Sequence, residues 1–252
     1  MLYWFVLSES IGSVEKIAKL RKLLFCNWMK KQAKLDFKWM QYPREIVMTC
    51  VSWYLRYPLS LRDLEEMMEL RGLKPDHSTV WHWVDKYSVT LSAILRKKAK
   101  RPQGSWRVDE TYIKVKGKWV YLYRAVDKNG LLIDFMLSAK RDIASAIRFF
   151  EKAIKGNTEN PPYAITTDKN ASYPPAINQL KEKGAIPITV EHRTNKYLNN
   201  IVEQDHRRIK RPLRGKGPFK TFQSTKNTLT GIESHSLFRK KQVDKSVFFE
   251  IV

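Results

Sequence analysis

The sequence predicts an α/β domain preceded by an all-α one, and three observations carry that prediction. Apolar residues fall at helical spacing up to about residue 95. After a basic linker over residues 96–104, closed by Pro102 and Gly104, β-branched and aromatic stretches separated by turn signals take over. From residue 141 the pattern alternates between helix-length and strand-length segments, as in a sheet covered by helices.

Residues 1–36 form an N-terminal extension to which no role is assigned. Val14 to Lys34 has helical spacing, with Ile17, Leu20, Leu24 and Trp28 on one stripe. From Arg44 to Tyr57 the pattern is that of a first clear helix. A second starts at Ser60, where Asp63 three residues on completes a capping box, and ends at Gly72. Asp76 is the expected cap of a third helix beginning at His77. Two such helices joined by a short Gly-containing turn predict a helix-turn-helix within residues 37–95. Leu61, Leu64, Met68, Val80, Val84 and Tyr87 would then be core. His77, Ser78, Thr79, His82 and Lys86 would face outward, near the start of the helix that reads base edges. A plain helical hairpin is the other reading of the same pattern.

Residues 105–212 carry the α/β pattern. Arg107–Val115, Trp119–Val126 and Leu131–Leu137 read as an antiparallel meander, turned by K116-G-K118 and D127-K-N-G130. Arg141–Lys155 is a helix with Ile143, Ile147, Phe150 and Ile154 on one face. Tyr163–Thr167 is a strand, Ala176–Lys183 a helix and Ile186–Val190 a strand. A closing helix carries Ile201, Val202, Gln204, Asp205 and Ile209. The order β-β-β-α-β-α-β-α is that of a ribonuclease-H-like domain, with strand 1 central and strand 4 parallel beside it. Residues 213–252 read as a basic C-terminal segment.

A formal net charge of +22 points to a polyanionic partner, double-stranded DNA above all. A membrane surface is not favoured, because no lipidation motif or long basic amphipathic helix is present. Apolar runs are too short to span a bilayer, and Cys26 and Cys50 lack metal-ligand spacing. A soluble cytoplasmic protein, nucleoid-associated when bound to DNA, is expected. The charge is concentrated: between His206 and Ile232 stand eight Lys or Arg and no acid. Arg207, Arg208, Lys210 and Arg211 open this run and are candidates for phosphate contact.

Three acids stand out against this background: Asp109 in strand 1, Asp168 just past strand 4, and Glu203 in the closing helix. The topology would bring them to one sheet edge. Three carboxylates in so basic a chain suggest a cage for two Mg2+ ions, or Mn2+ in their place, working on a phosphodiester. Glu110 should point to the opposite face by strand alternation. Asp205 lies about 200° around the helix from Glu203 and should face solvent or pair with an arginine. His192 and His206 lack ligand spacing, and Trp119 and Tyr121 should pack on the sheet.

With those residues in place, the chain resembles the DDE transposases of bacterial insertion sequences, most closely the insertion-sequence family numbered six. The likeness runs from about Tyr42 to Gln242. It is carried by W-Y-L-R-Y, L-S-L-R-D-L-E-E-M-M, R-G-L-K-P-D-H-S-T-V-W-H-W-V, W-R-V-D-E-T-Y-I-K-V-K-G-K-W-V-Y-L-Y-R-A-V-D, T-T-D-K, K-Y-L-N-N-I-V-E-Q-D-H-R-R-I-K and T-L-T-G-I-E. The 34 residues between Asp168 and Glu203 match the family's spacing. The resemblance implies that Asp109, Asp168 and Glu203 are the catalytic, metal-holding acids. It also implies that Lys210, two helical turns beyond Glu203, is the family's basic position. Implied with them are binding to terminal inverted repeats, DNA cleavage and strand transfer, and a homodimer or larger assembly to join two element ends. The chain departs from the family in residues 1–36, at Pro218 where Gly is common, and after Lys241. A DNA-binding regulator without chemistry and a structure-selective nuclease of the same fold are the alternative readings.

Overall fold

In the computed structural model, residues 35–37, 40–194 and 200–251 are described. The expected helix over Val14–Lys34, and Cys26 within it, lie outside these residues. Three helices come first: α1 (Arg44–Arg56), α2 (Leu61–Glu69) and α3 (His77–Lys98). The capping box at α2 is present, with Ser60 Oγ accepting from the Asp63 amide and Asp63 accepting from the Ser60 amide. Asp76 caps α3 through the Ser78 amide at 2.7 Å, and Gly72 leaves α2 with φ +74°. Buried Leu64, Met68, Val80, Val84 and Tyr87 form the expected core, with Leu61 half-buried against it.

α3 is longer than its first turns suggest. It continues past Tyr87 to Lys98, into the stretch expected to be linker. The cause is local: Val84, Tyr87, Leu91, Ile94 and Leu95 continue one buried stripe, and no Gly or Pro interrupts it. Arg96, Lys97 and Lys98 in the last turn complement the negative end of the helix dipole.

Strands β1 (Trp106–Val115), β2 (Lys118–Asp127) and β3 (Leu132–Ser138) form the predicted meander. They are followed by α4 (Ile143–Lys155), β4 (Ala164–Thr167), α5 (Tyr173–Glu182), β5 (Glu191–Thr194), α6 (Asn200–Leu213), α7 (Phe222–Arg239) and α8 (Ser246–Ile251). The sheet runs β3-β2-β1-β4-β5, antiparallel through β1, β2 and β3 and parallel from β1 to β4 to β5. That mixed order, with β1 central, is the ribonuclease-H-like sheet.

Two details differ from the sequence pattern. The last strand is Glu191–Thr194, not Ile186–Val190. Ile186 and Val190 are buried anchors of a tight loop whose amides bond back to Leu180 and Pro187, and Pro187 has no N–H to offer a ladder. In α4 the buried face centres on Ala146, Phe149, Phe150 and Ala153, while Ile143 stays 39% exposed.

The sheet is covered on both sides. On one face Trp106, Val108, Tyr123, Ala125 and Ile165 pack under α4 and α5. On the other, Ile113, Val115, Val120, Leu122 and Leu137 share a continuous core with α1–α3, α6 and α7. α7 lies within the segment read as basic. Its Gly231 lets it approach α1 and α3 closely, since a Cβ there would come within 2.6 Å of Leu55 Cδ2 and 2.5 Å of Ser88 Oγ. A second close approach locks the helices to α6. Lys216 donates to the carbonyls of Tyr54, Tyr57 and Pro212 at 2.6, 3.2 and 2.8 Å. A Cβ on neighbouring Gly215 would stand 1.9 Å from the Pro58 carbonyl oxygen.

Gly215→Ala should therefore force apart two backbones that cannot yield like side chains. A cost of about 1–3 kcal/mol is expected, lowering Tm by at least about 2 °C in a chain of this size. Scanning calorimetry checks this, and an unchanged Tm would show that the contact is dispensable.

Candidate active site

The site forms where β4 leaves β1. These strands pair only at Trp106↔Ile165 and Arg107↔Thr166, and β4 ends at Thr167. Asp168 then turns off, its carboxylate accepting the Asn170 amide at 3.1 Å. β1 continues, paired with β2 as far as Val115↔Lys118. Asp109 thus sits within a ten-residue strand, at the point where its neighbour runs out, rather than at a strand end. Carboxylate oxygens of Asp109, Glu110 and Asp168 all lie within 4.8 Å of one another.

These three acids are held differently. Glu110 keeps the face expected of it, shared with Trp106 and Val108, yet its carboxylate still reaches the group. It is buried and accepts from Arg141, from the Tyr173 hydroxyl and from Asn170 Nδ2 at 2.6 Å. Arg141 also lies 3.6 Å from Asp168 Oδ2. Asp109, by contrast, accepts the Glu110 amide. Burial, then the charges of Glu110 and Asp168, and lastly that of Glu203, push its carboxyl up to about 7. Glu203 stands exposed in the first turn of α6. Its charge is felt at Asp109, but its oxygens lie outside the 4.8 Å group. Nothing in the sequence pattern flagged Arg141 or Tyr173. Asn170 could have been suspected from T-T-D-K-N.

α6 is anchored by charge. Asp205 does not face solvent: it is 5% exposed and bonded to Arg124 and Lys240, both at 2.6 Å. Arg124, fully buried on β2 and directly opposite Asp109, also grips Glu233 of α7 at 2.6 and 3.0 Å. The arginine pairing was foreseeable; the burial was not, because it depends on α7 closing over the sheet. His206 lies between this network and the acids, Nδ1 3.7 Å from Asp109 Oδ2. Burial first, then the Arg124 charge, hold it down at about 3, so it is neutral at pH 7. His192 bonds Thr167 Oγ1 at 2.9 Å, tying β5 to the end of β4.

Cations extend the site along α6. Arg207, Arg208, Lys210 and Arg211 are exposed. Lys210 lines a cavity of about 540 Å³ with Tyr112, Lys114 and Arg214. The Arg239 guanidinium is held below its usual range by burial and by the nearby charges of Arg56, Arg211 and Arg208. On α3, Ser78, His82 and Lys86 are exposed, while His77 and Thr79 are half-buried. Both the amide and the hydroxyl of Ser78 are engaged by Asp76, so Ser78 serves the helix cap as well as the outer surface.

A family model described as a DDE domain, of the IS240 transposase type, matches residues 103–242. The chain is 39% identical over 213 residues to the transposase for insertion sequence-like element IS431mec of Staphylococcus aureus, covering 84% of this chain and 92% of that one. The same figures hold for the transposase for insertion sequence element IS257 in transposon Tn4003, also of Staphylococcus aureus. This chain is a DDE transposase of the insertion-sequence family numbered six. Among solved structures, the Mos1 strand transfer complex aligns over 87% of this chain and 81% of that one, at 11% identity and a TM-score of 0.35. The HTLV-2 integrase catalytic core domain in complex with magnesium aligns over 42% of this chain and 66% of that one, at 21% identity and a TM-score of 0.34. The acids described above all fall inside the matched DDE domain. Among the described residues, no helix of this transposase is long and apolar enough to cross a membrane.

Two outcomes follow from the contrast between the acids. Asp205→Asn should destabilise the fold by about 3–5 kcal/mol, because it strands buried cations. Glu203→Gln, exposed, should leave urea unfolding within about 0.5 kcal/mol of the parent. Equal midpoints for the two variants would contradict the burial of Asp205. The second outcome concerns pH. Asp109 has a folded pKa above its unfolded value of about 3.9, so the folded state holds its proton more tightly. Its ionisation costs stability as pH rises from about 4 to about 7. In chelator, Asp109→Asn should thus raise Tm at pH 8 and leave it unchanged below about pH 4. Thermal melts at both pH values test the sign.

Proposed function

We propose that this transposase binds the terminal inverted repeats of its insertion sequence, cleaves DNA there and joins the freed end to target DNA. The observation that carries the reading is the meeting of Asp109 and Asp168 at the β1/β4 split, with Glu203 close enough for its charge to bear on Asp109. The donor set fits a hard divalent cation: all oxygen, and mutually repelling without one. Asp109, Asp168 and Glu203 would hold Mg2+ or Mn2+, two ions in all, which when bound supply Lewis-acid activation and charge neutralisation at the scissile phosphate. Glu110, already satisfied by Arg141, Asn170 and Tyr173, acts as the scaffold that fixes β1 and the Asp168 turn.

The remaining roles belong to cations and helices. Lys210, with Arg207, Arg208 and Arg211 on the exposed side of α6, neutralises backbone phosphates leading to the acids. α2 and α3 act as a helix-turn-helix, with His77, Thr79, His82 and Lys86 presented at the start of α3 for base and phosphate contact and Ser78 among them. Two element ends must be processed together, so the active form is a homodimer or larger. It works in the cytoplasm, on the nucleoid.

The test is one incubation of the purified full-length chain with Mg2+, a labelled terminal-repeat duplex and target DNA. Cleavage and joining that require the cation support the proposal; equal activity in chelator refutes it. Binding without cleavage points to a regulator lacking chemistry, and cleavage without joining to a nuclease. Asp109→Asn, Asp168→Asn and Glu203→Gln should each abolish both steps while repeat binding stays within about twofold, since the binding helix lies apart from the acids. Lys210→Ala should keep partial activity and reduce the salt slope of binding by about 1.

A further inference from the structure

On the sheet face packed under α4 and α5, the far end of the β1–β2 hairpin is exposed. On that face the cross-strand pairs run Glu110↔Tyr123, Tyr112↔Tyr121 and Lys114↔Trp119. Tyr123 is buried under α4, but Tyr112 is 46% and Trp119 58% exposed, although sheet packing was expected for Trp119. The rings form one surface: Tyr112 lies 5.4 Å from Tyr121 and 6.3 Å from Trp119, and Lys114 Nζ lies 5.7 Å from the Trp119 ring. Lys114 shares this face, and Lys116 and Lys118 are exposed at the adjoining hairpin tip, with no acid between Lys114 and Tyr121. At the hairpin tip Lys116 holds φ +48°, a conformation that Asn or Gly would adopt at less cost.

This surface is continuous with the acids. Arg141 contacts the Tyr112 hydroxyl at 3.4 Å through Nη1, Glu110 through Nε and Asp168 at 3.6 Å through Nη2. Along β1, Tyr112 stands about 7 Å beyond Glu110, and Lys114 a further 7 Å. Exposed aromatic rings interleaved with lysines, beginning at the acids, have the chemistry of a surface that stacks unpaired bases and holds their phosphates. A second protein would need complementary acids and an apolar face. A DNA strand brings both π-faces and negative charge.

We propose that Tyr112, Trp119 and Tyr121, with Lys114, form a stacking platform for unpaired nucleotides of the DNA strand next to the scissile phosphate. The platform rests on the DNA-processing reading above. It implies that the end of the duplex is opened beside the acids, and that the hairpin stabilises the opened form.

The experiment titrates the full-length chain, without divalent cation, against a 20-nucleotide single strand of thymidine with 2-aminopurine at its centre, and against a blunt duplex containing the same probe. Single-strand binding should change the 2-aminopurine emission. Trp119→Ala and Tyr112→Ala should each weaken it about tenfold and abolish the emission change, while duplex affinity stays within about twofold. Trp119→Phe should restore most of the single-strand affinity. Both rings are exposed, and an unaltered thermal melt will confirm that the variants fold. Single-strand affinity unchanged in both alanine variants overturns the platform, as does an equal loss for single strand and duplex. If Trp119→Ala alters only the sedimentation of the free protein, the face is an interface between copies and the proposal falls. A chain that stacks the probe but fails to cleave terminal repeats refutes the DNA-processing reading alone.

Discussion

A single buried arginine organises the α/β part of this molecule. Arg124 sits on the central hairpin, opposite Asp109, with no exposure to solvent. Its guanidinium is divided between Asp205 of α6 and Glu233 of α7, and Lys240 completes the group at Asp205. Two cations and two anions balance, which makes their shared burial tolerable. Such a network is a poor source of net stability, since its desolvation cost is comparable to its attraction. Its value is in register: only one rotation of α6 satisfies Asp205, and that rotation turns Glu203 outward on the side of Asp109.

Beside this balanced network lies an unbalanced one. Glu110 is saturated by three donors, whereas Asp109 is half-buried among carboxylates and held mainly by a backbone amide. The difference follows from strand alternation. Glu110 points to the side where α4 and α5 bring Arg141, Asn170 and Tyr173, and Asp109 points to the side of α6, where a neutral histidine lies 3.7 Å away. The fold therefore holds one acid firmly and leaves its neighbour in want of positive charge.

Much of this was legible in the sequence, wherever the signal was local. The capping box at Ser60 and Asp63, the Asp76 cap, the meander and the helix order were readable because each depends on residues a few positions apart. Asp109 and Asp168 could be placed from strand order alone. What escaped reading was non-local. The burial of Asp205 depends on Arg124, 81 residues away in the chain, and on Glu233, 109 residues from Arg124. The displacement of the last strand to Glu191 depends on Pro187 spoiling a ladder, and an apolar run around Ile186 reads equally well as a strand or as a buried loop. Trp119 was misplaced because alternation gives a residue's face but not whether a helix covers it.

The shared core between α1–α3, α7 and one face of the sheet has an evolutionary corollary. Val80, Leu91, Leu122, Leu137 and Leu229 belong to one apolar mass, and α3 runs unbroken from the outer layer to Arg96, which pairs with Asp134 on β3 at 2.6 Å. Exchanging the first three helices for those of a distant relative would expose that mass on both sides of the cut. On the proposed reading of α3 as the helix that contacts DNA, such a chain cannot acquire a new DNA address by shuffling modules. It would have to change by single substitutions on the outer surface of α3, with the interior held constant, so divergence among its kin should be concentrated there and sparse where the helices meet the sheet.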